Sequence, residues 1–472
     1  MWNFVGGRGP LCEGWSRREV LRVGSLGLLG AGLNLADLFR AAEARPISAV
    51  GSSLPRAGRA RSCIVLFLLG GATQHSTWDP KPDAPPEVRG PFGPISTTVP
   101  GLSLSELMPR TASVADKLCV LRAVSTGDNA HSSSGYYMLT GRPHQPKNAE
   151  NVPIGAPNDA PCLVSLARHL LPGGHGLPGG VTLPQTIFNT GGIPWPGQDA
   201  GFLGRVADPW VLNVEPTSAG YRVREIELAD DLNPARLGRR RALLDEVAQG
   251  VNGLDRDPTA AMLDVHSRRA FDLLGSAEAR RAFQVDRETA ETRGRYGDSP
   301  FGHGVLLARR LVEAGVRLVQ VNWYRGPDEP SANPCWDTHR DDPARLKDVL
   351  VPPADQAIAA LIRDLDERGH LDETLVVVMS EFGRGPRIDA QGGRGHWGAV
   401  FSVALAGGGI RGGQVHGASD AFAAYPRDGL VTPDDLAATI FHCLGVPPET
   451  ELRNRVGQPV PVSRGRVLDS LM

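Results

Sequence analysis

Between residues 380 and 396 the chain sets Glu381, Arg384 and His396 around a glycine-rich loop, Ser380–Glu381–Phe382–Gly383–Arg384 running on to His396–Trp397. A carboxylate and an imidazole can share a divalent cation, and a guanidinium can take an oxyanion by charge-assisted hydrogen bonds. Three other stretches carry the same residue types. Ala72–Pro82 holds Gln74, His75, Asp79 and Lys81, the run after Asp128 holds His131 and Ser132–Ser134, and Trp336–His339 holds Asp337 and His339. Mixed Asp, Glu and His donors suit zinc, manganese or iron better than calcium, which prefers oxygen alone. Asp79, Asp337, His339, Glu381 and His396 are therefore the candidate metal ligands, with His131 beside them. Ligands of one ion, at bonds of about 2.0–2.2 Å, would have donor atoms within roughly 3–5 Å of each other. The plain alternative is a helix-capping glutamate and a packed histidine.

These residues need a scaffold that brings distant loops together. Leu375–Val376–Val377–Val378–Met379 is an unbroken apolar run, the pattern of a strand buried on both faces of a parallel sheet. Cys63–Leu69, Leu118–Ser125, Val316–Trp323 and Val400–Ala406 read the same way. A helical stripe of Val305, Leu307, Leu311 and Val312 stops at Gly315, and another, Ile358, Leu361, Ile362 and Leu365, stops at Gly369. Thr432–Pro433–Asp434–Asp435 caps a last helix. The fold class is α/β, a three-layer α/β/α sandwich with a mostly parallel central sheet. In such a sheet ligands gather at the carboxyl ends of the strands. Ser125, Trp323 and Ser380 should then mark strand ends on one shared edge. The serines after His131 precede an apolar helical segment, and a helix start favours anions.

Composition narrows the function classes. The 472 residues, 41% hydrophobic and 22% charged, are ordinary for a globular protein, and 57 Gly with 39 Pro imply many loops on a sheet scaffold. A formal net charge of −2 gives no bias toward nucleic acid. The six cysteines form no CxxC, and Cys63, Cys119 and Cys443 sit in apolar runs, as buried free thiols do. No GxSxG, HExxH, Walker A or EF-hand pattern occurs.

Residues 1–45 read as an address. Ser16–Arg17–Arg18–Glu19–Val20–Leu21–Arg22 matches a twin-arginine export signal, followed by a moderately apolar Val23–Leu38 and a small-residue site at Ala42–Glu43–Ala44. That apolar stretch is short for a permanent transmembrane anchor, and a periplasmic or otherwise exported location follows. Residues 46–60 are a linker, and 61–472 are one domain with a covering insertion at about 190–300.

With the twin-arginine signal, LLGGATQHSTWDPKP, HSSSGYYMLTGR, FGHGVLLARRLVEAGVRLVQVNW, WDTHR, DETLVVVMSEFGRGP, GRGHW, LAGGGIRGG, GASDA and VTPDDLAATIFHCLG, the chain resembles a family of exported, uncharacterised bacterial sulfatase-like proteins. That family, a domain of unknown function, belongs to the alkaline phosphatase superfamily. The resemblance implies an alkaline-phosphatase-like fold and a divalent metal, with zinc or manganese favoured. Counted back from Thr140–Gly141–Arg142, the formylglycine position of sulfatases falls on His131, so that nucleophile is absent. The superfamily's Asp–His pair becomes Glu381–Phe382. Gly70–Gly71 replaces the acid closing the first strand, leaving Gln74, His75 or Asp79 as substitutes. An Asp expected before His396 is Gly395 here, which removes a partner for that imidazole.

Two functions follow. One is a metal-dependent hydrolase of phosphate or sulfate esters, with His131 and Ser132 as catalytic groups and Gln74, Arg142 and Arg384 on the substrate, a small anionic ester or a sulfated or phosphorylated glycan. The other is a degenerate member that binds an anionic envelope ligand or partner without turnover.

Overall fold

The computed structural model describes residues 58–213, 234–251, 267, 270–325 and 335–472. The export signal and residues 46–57 of the linker lie outside the described residues.

The core is an eight-stranded sheet built from β1 (Ser62–Phe67), β2 (Leu118–Val124), β3 (Gly180–Leu183), β4 (Trp210–Val211), β5 (Leu318–Asn322), β6 (Thr374–Met379), β7 (Phe401–Ala406) and β8 (Gln414–His416). Their spatial order is β8-β2-β7-β6-β1-β5-β3-β4. Only β7 runs against its neighbours, β6 and β2; the other pairings are parallel. Every residue of β1, β5, β6 and β7 is buried, which is why these strands are mostly apolar and do not alternate; in β5 the buried Gln320 donates to the Asn322 side chain, which itself donates to the Gln185 carbonyl. The edge strand β4 comes from within the stretch expected to be a covering insertion.

Five helices matter to the site and its support: α1 (His131–Thr140), α2 (Leu163–Leu170), α3 (Pro300–Glu313), α4 (Val351–Glu367) and α5 (Pro433–Cys443). α3 starts at a Ser299 cap with Pro300 in its first turn and lies on β1 and β5, with α4 packed against it. α5 opens with a reciprocal capping box between Thr432 and Asp435 and packs on α1. The architecture is a three-layer sandwich with a mixed, mostly parallel sheet. Among the described residues no helix is long and apolar enough to cross a membrane.

Register explains where the site forms. Phe67 of β1 pairs with Met379 of β6 on one side and with Asn322 of β5 on the other, so the three strands end level. β2 opposes β7, which opposes β6, so Val124 ends on that same edge. The loops after all four strands leave from one side.

Candidate metal centre

The end of β1 is held to the end of β6 through a carboxylate. Glu381, fully buried, accepts the N–H of Gly70 at both oxygens, 2.9 and 3.2 Å. Gly70 has φ +114°, and a Cβ there would lie 2.3 Å from the backbone nitrogen of Asp337, so the position requires glycine for both reasons. Ser134, in the first turn of α1, donates its hydroxyl to the Glu381 carbonyl at 2.6 Å. That bond sets the start of α1, and with it His131, over the strand end.

His131 then bridges two acids. Its Nδ1 lies 2.7 Å from Glu381 Oε1, and its Nε2 lies 3.4 Å from Asp337 Oδ2. His396 points at the same carboxylate from a two-stranded ribbon, Gly383–Arg384 paired with His396–Trp397. Its Nε2 is 3.1 Å from Asp337 Oδ1, and its Nδ1 is 2.8 Å from the Asn129 carbonyl. Thus the partner that Gly395 does not provide comes from the loop before α1. His339 completes the cluster from the rim, its Nε2 3.0 Å from Asp337 Oδ1 and 2.8 Å from His396 Nε2. The Phe382 ring stacks on His396 at 4.6 Å and walls the other side of His131.

The charges are strongly coupled. Burial would raise the Asp337 pKa, but hydrogen bonds from His131, His339 and His396 hold it far below the usual carboxylate range. Burial opposes a charge on His131, and the carboxylates of Asp337 and Glu381 overcome it, pushing its pKa up to about 10. Burial draws the His396 pKa down, against the pull of Asp337.

The donor set fits a divalent cation. Donor atoms of His131, Asp337 and His396 all lie within 4.8 Å of one another. In His131 and His396 alike, Nδ1 faces an oxygen acceptor, which keeps an N–H on that side and leaves Nε2, the nitrogen turned toward Asp337, as the atom that would give up its proton to an ion. This is how a ligating imidazole is oriented. The proton that His131 holds on Nε2 without a metal is the one an ion would replace.

Several expected roles change. Glu381 stands behind His131 as its orienting acid, its oxygens committed to Gly70 and to the imidazole. Arg384 is fully buried and gives its guanidinium to Asp337 Oδ1 at 2.6 Å, to the Gly70 carbonyl and to the Arg394 carbonyl, so it fixes Asp337 and does not reach a ligand. Gln74 is buried too: its amide accepts from the Arg384 N–H and donates to the Arg384 and Ala423 carbonyls, holding the ribbon. Arg142 donates to the Pro461 and Val462 carbonyls beyond the far end of α1, about 15 Å along the helix from His131. Asp79 is buried in a separate ion-pair group with Lys81 (3.0 Å), Arg122 (3.4 Å) and the Ser419 hydroxyl. The Ser132 hydroxyl donates to Glu150 and accepts from Asn151 and Asn189.

A cavity of about 210 Å³ opens beside His131 and Asp337, walled by Glu150, Asn189, Trp195 and Arg325 among others. Arg325 is braced by the Phe188 carbonyl and the Thr190 hydroxyl, each at 3.0 Å. Sequence reasoning missed these residues. Glu150, Asn189 and Trp195 come from a long loop region without periodicity; only Arg325, two residues past a legible strand, carried a positional signal.

Likeness to solved structures is slight in residue identity. The PsFucS1 sulfatase from Pseudoalteromonas sp. matches with 14% identity and a TM-score of 0.37, over 82% of this chain and 68% of that one. The phosphonate monoester hydrolase SpPMH from Silicibacter pomeroyi matches with 14% identity and a TM-score of 0.36, over 86% and 76%. A protein in the alkaline phosphatase superfamily from Vibrio parahaemolyticus matches with 10% identity and a TM-score of 0.34, over 82% and 67%. None of the curated proteins compared matches this sequence. A family profile does match, over residues 60–472, and the chain belongs to that family, the proteins of unknown function DUF1501.

Proposed function

We propose that this protein is a divalent-metal-dependent hydrolase of sulfate or phosphate esters, exported from the cytoplasm of a bacterium through the twin-arginine pathway. The observation that carries the reading is the convergence of His131, Asp337 and His396 on one point at the carboxyl edge of the sheet, beside a cavity. These three would hold the ion, zinc or manganese by donor type, with His339 at the rim. When bound, such an ion polarises an ester oxygen and makes water nucleophilic near neutral pH. The chain does the rest. Glu381 keeps the His131 lone pair on Nε2, Arg384 keeps Asp337 in place, and Phe382 and Trp195 limit water on the two sides of the His131 ring. Arg325, at the cavity wall, supplies a fixed positive group for the ester's oxyanion. The substrate class is a small anionic ester or a sulfated or phosphorylated glycan.

Zinc- or manganese-loaded protein should cleave an aryl sulfate or an aryl phosphate, and Asp337→Asn and His396→Ala should abolish both metal binding and turnover. Turnover surviving in metal-depleted protein would overturn the reading.

One observation favours a second reading, a protein that binds an anionic envelope ligand without chemistry. The Ser132 hydroxyl is already engaged by three partners, so α1 offers it to no substrate. That reading expects metal binding with no turnover on either ester.

A further inference from the structure

At the edge of the sheet opposite the metal centre, Arg317 lines a cavity and has no acid to meet it. The cavity, about 360 Å³, lies at the amino ends of β1, β5 and β6 and is larger than the one beside His131. The six residues of β1, roughly 20 Å of strand, separate the two. Ser62 pairs with Thr374, and Cys63 with Leu318, so Arg317, Ser62 and Thr374 stand level at three neighbouring strand starts. All three line the cavity. Ser62 and Thr374 are each the one polar residue of an apolar strand, β1 and β6. Their hydroxyls are buried and meet only each other, at 3.3 Å, so one of the two protons is left without an acceptor. Among the described residues the Arg317 guanidinium makes no hydrogen bond or ion pair, and its Nε is buried without a partner. Burial and the nearby charge of Arg61 both lower its pKa, as for a cation that nothing compensates where it stands.

The acids on the wall are already engaged. Glu313 takes Arg309 at 2.7 Å and Arg368 at 3.7 Å, and Glu373 takes Arg61 at 3.3 Å. Carbonyls at the end of α3, which would otherwise draw a cation, accept the N–H groups of Ala314, Gly315 and Val316 at 3.0 Å each. The surplus in this cavity is therefore of donors and positive charge. We infer that it is a second binding site, for the phosphate or sulfate group of a small organic ester, with Arg317 as its charged anchor. The planar guanidinium matches two oxygens of such a group, and the Ser62–Thr374 pair keeps a proton for a third. A carboxylate has no third oxygen to offer. The volume admits an organic portion beside the anion. This site shares no residue with the metal centre and stands apart from whatever reaction that centre performs.

Phenyl phosphate and phenyl sulfate are the probes, with benzoate as the two-oxygen control, titrated into the full-length metal-free protein so that turnover plays no part. Wild type should bind at least one of the two esters more tightly than benzoate, and that ester should raise the thermal midpoint as its concentration grows. Whichever ester is preferred names the group the site takes. Arg317→Met should weaken this binding about tenfold or more, the order of losing hydrogen bonds to a charged group. Arg317→Lys, which keeps the charge without the fork, should fall between. Without any probe, Arg317→Met should be as stable as wild type or more so, because its guanidinium has no partner to lose. Hydrogen exchange should slow at 172–174 and 312–317 when the ester is added. Wild type that binds neither ester, equal affinity in wild type and Arg317→Met, or protection confined to the loops around His131 would overturn the proposal. So would an Arg317→Met protein that is less stable on its own yet binds as wild type does, since Arg317 would then be a scaffold residue.

Discussion

Gly70 and Glu381 stand at the level ends of two adjacent parallel strands, and the Gly70 N–H reaches both oxygens of the Glu381 carboxylate. The same carboxylate takes the Nδ1 side of His131. One buried acid therefore joins two strands and chooses the tautomer of a candidate ligand. Glu381→Gln separates these jobs. The amide oxygen at the Oε1 position still accepts from Gly70 and from the Nδ1 side of His131, but the negative charge that holds the Nδ1 proton and strengthens the imidazole as a ligand is gone. Zinc affinity should fall by about 10–100-fold, the usual cost of losing a ligand's orienting partner, while the fold persists. Isothermal titration of zinc, with a thermal melt as control, checks it; an unchanged affinity means Glu381 does not orient His131.

Gly70→Ala tests the strand end itself. The added Cβ meets the Asp337 backbone at 2.3 Å, and φ +114° is strained for alanine. We expect a loss of about 2–3 kcal/mol or more in denaturant unfolding, together with weaker metal binding as Asp337 shifts. The mirror substitution at Gly191, where a Cβ would meet nothing within 4 Å, is confined to φ strain and should leave metal binding unchanged.

Arg384 and Arg142 separate a buried brace from a distant one. Lysine at 384 cannot hold Asp337 and two carbonyls at once, since it lacks the planar fork of the guanidinium. Arg384→Lys should lower both stability and zinc affinity. Arg142→Lys should leave zinc affinity untouched, because its bonds go to Pro461 and Val462. Equal zinc affinities in the two variants would contradict this division of roles.

Export is tested apart from chemistry. Arg17→Lys with Arg18→Lys should leave the protein in the cytoplasm, read by fractionation of cells making either form. Normal export of the double variant ends the twin-arginine assignment.

The scaffold was more legible than the site, for a physical reason. A strand such as Thr374–Met379 is buried on both faces, so its solvation demand is written in every residue. The reversed direction of β7 was not legible, because Phe401–Ala406 is equally apolar read either way. Site residues were found as a neighbourhood, since strand ends predict an edge. Which atom meets which was beyond reach: Arg384 looks the same in sequence whether its guanidinium faces a ligand or lies beneath Asp337. Glu150 was missed because nothing local distinguishes an exposed loop acid from one that returns to cap a helix 19 residues earlier.

The sharpest pH signature belongs to His131. Its pKa rises from 6.5 to about 10 on folding, against the cost of burial, because Asp337 and Glu381 face its two nitrogens. A group with a raised folded pKa contributes stability that is complete below its unfolded value and is lost as pH climbs through the folded one. Metal-free protein should therefore lose stability steadily between about pH 6.5 and 10. Zinc should oppose that loss, since the ion replaces the proton and its affinity rises as protons become scarce. Denaturant midpoints taken across this window should fall without zinc and hold nearly level with saturating zinc, because neither the zinc-bound nor the unfolded state then carries the His131 proton. His131→Asn keeps a polar side chain between the two acids without a titrating group, and it should flatten the metal-free curve. If the metal-free midpoint holds level from pH 6.5 to 10 in wild type, the proton is not where the two carboxylates would keep it.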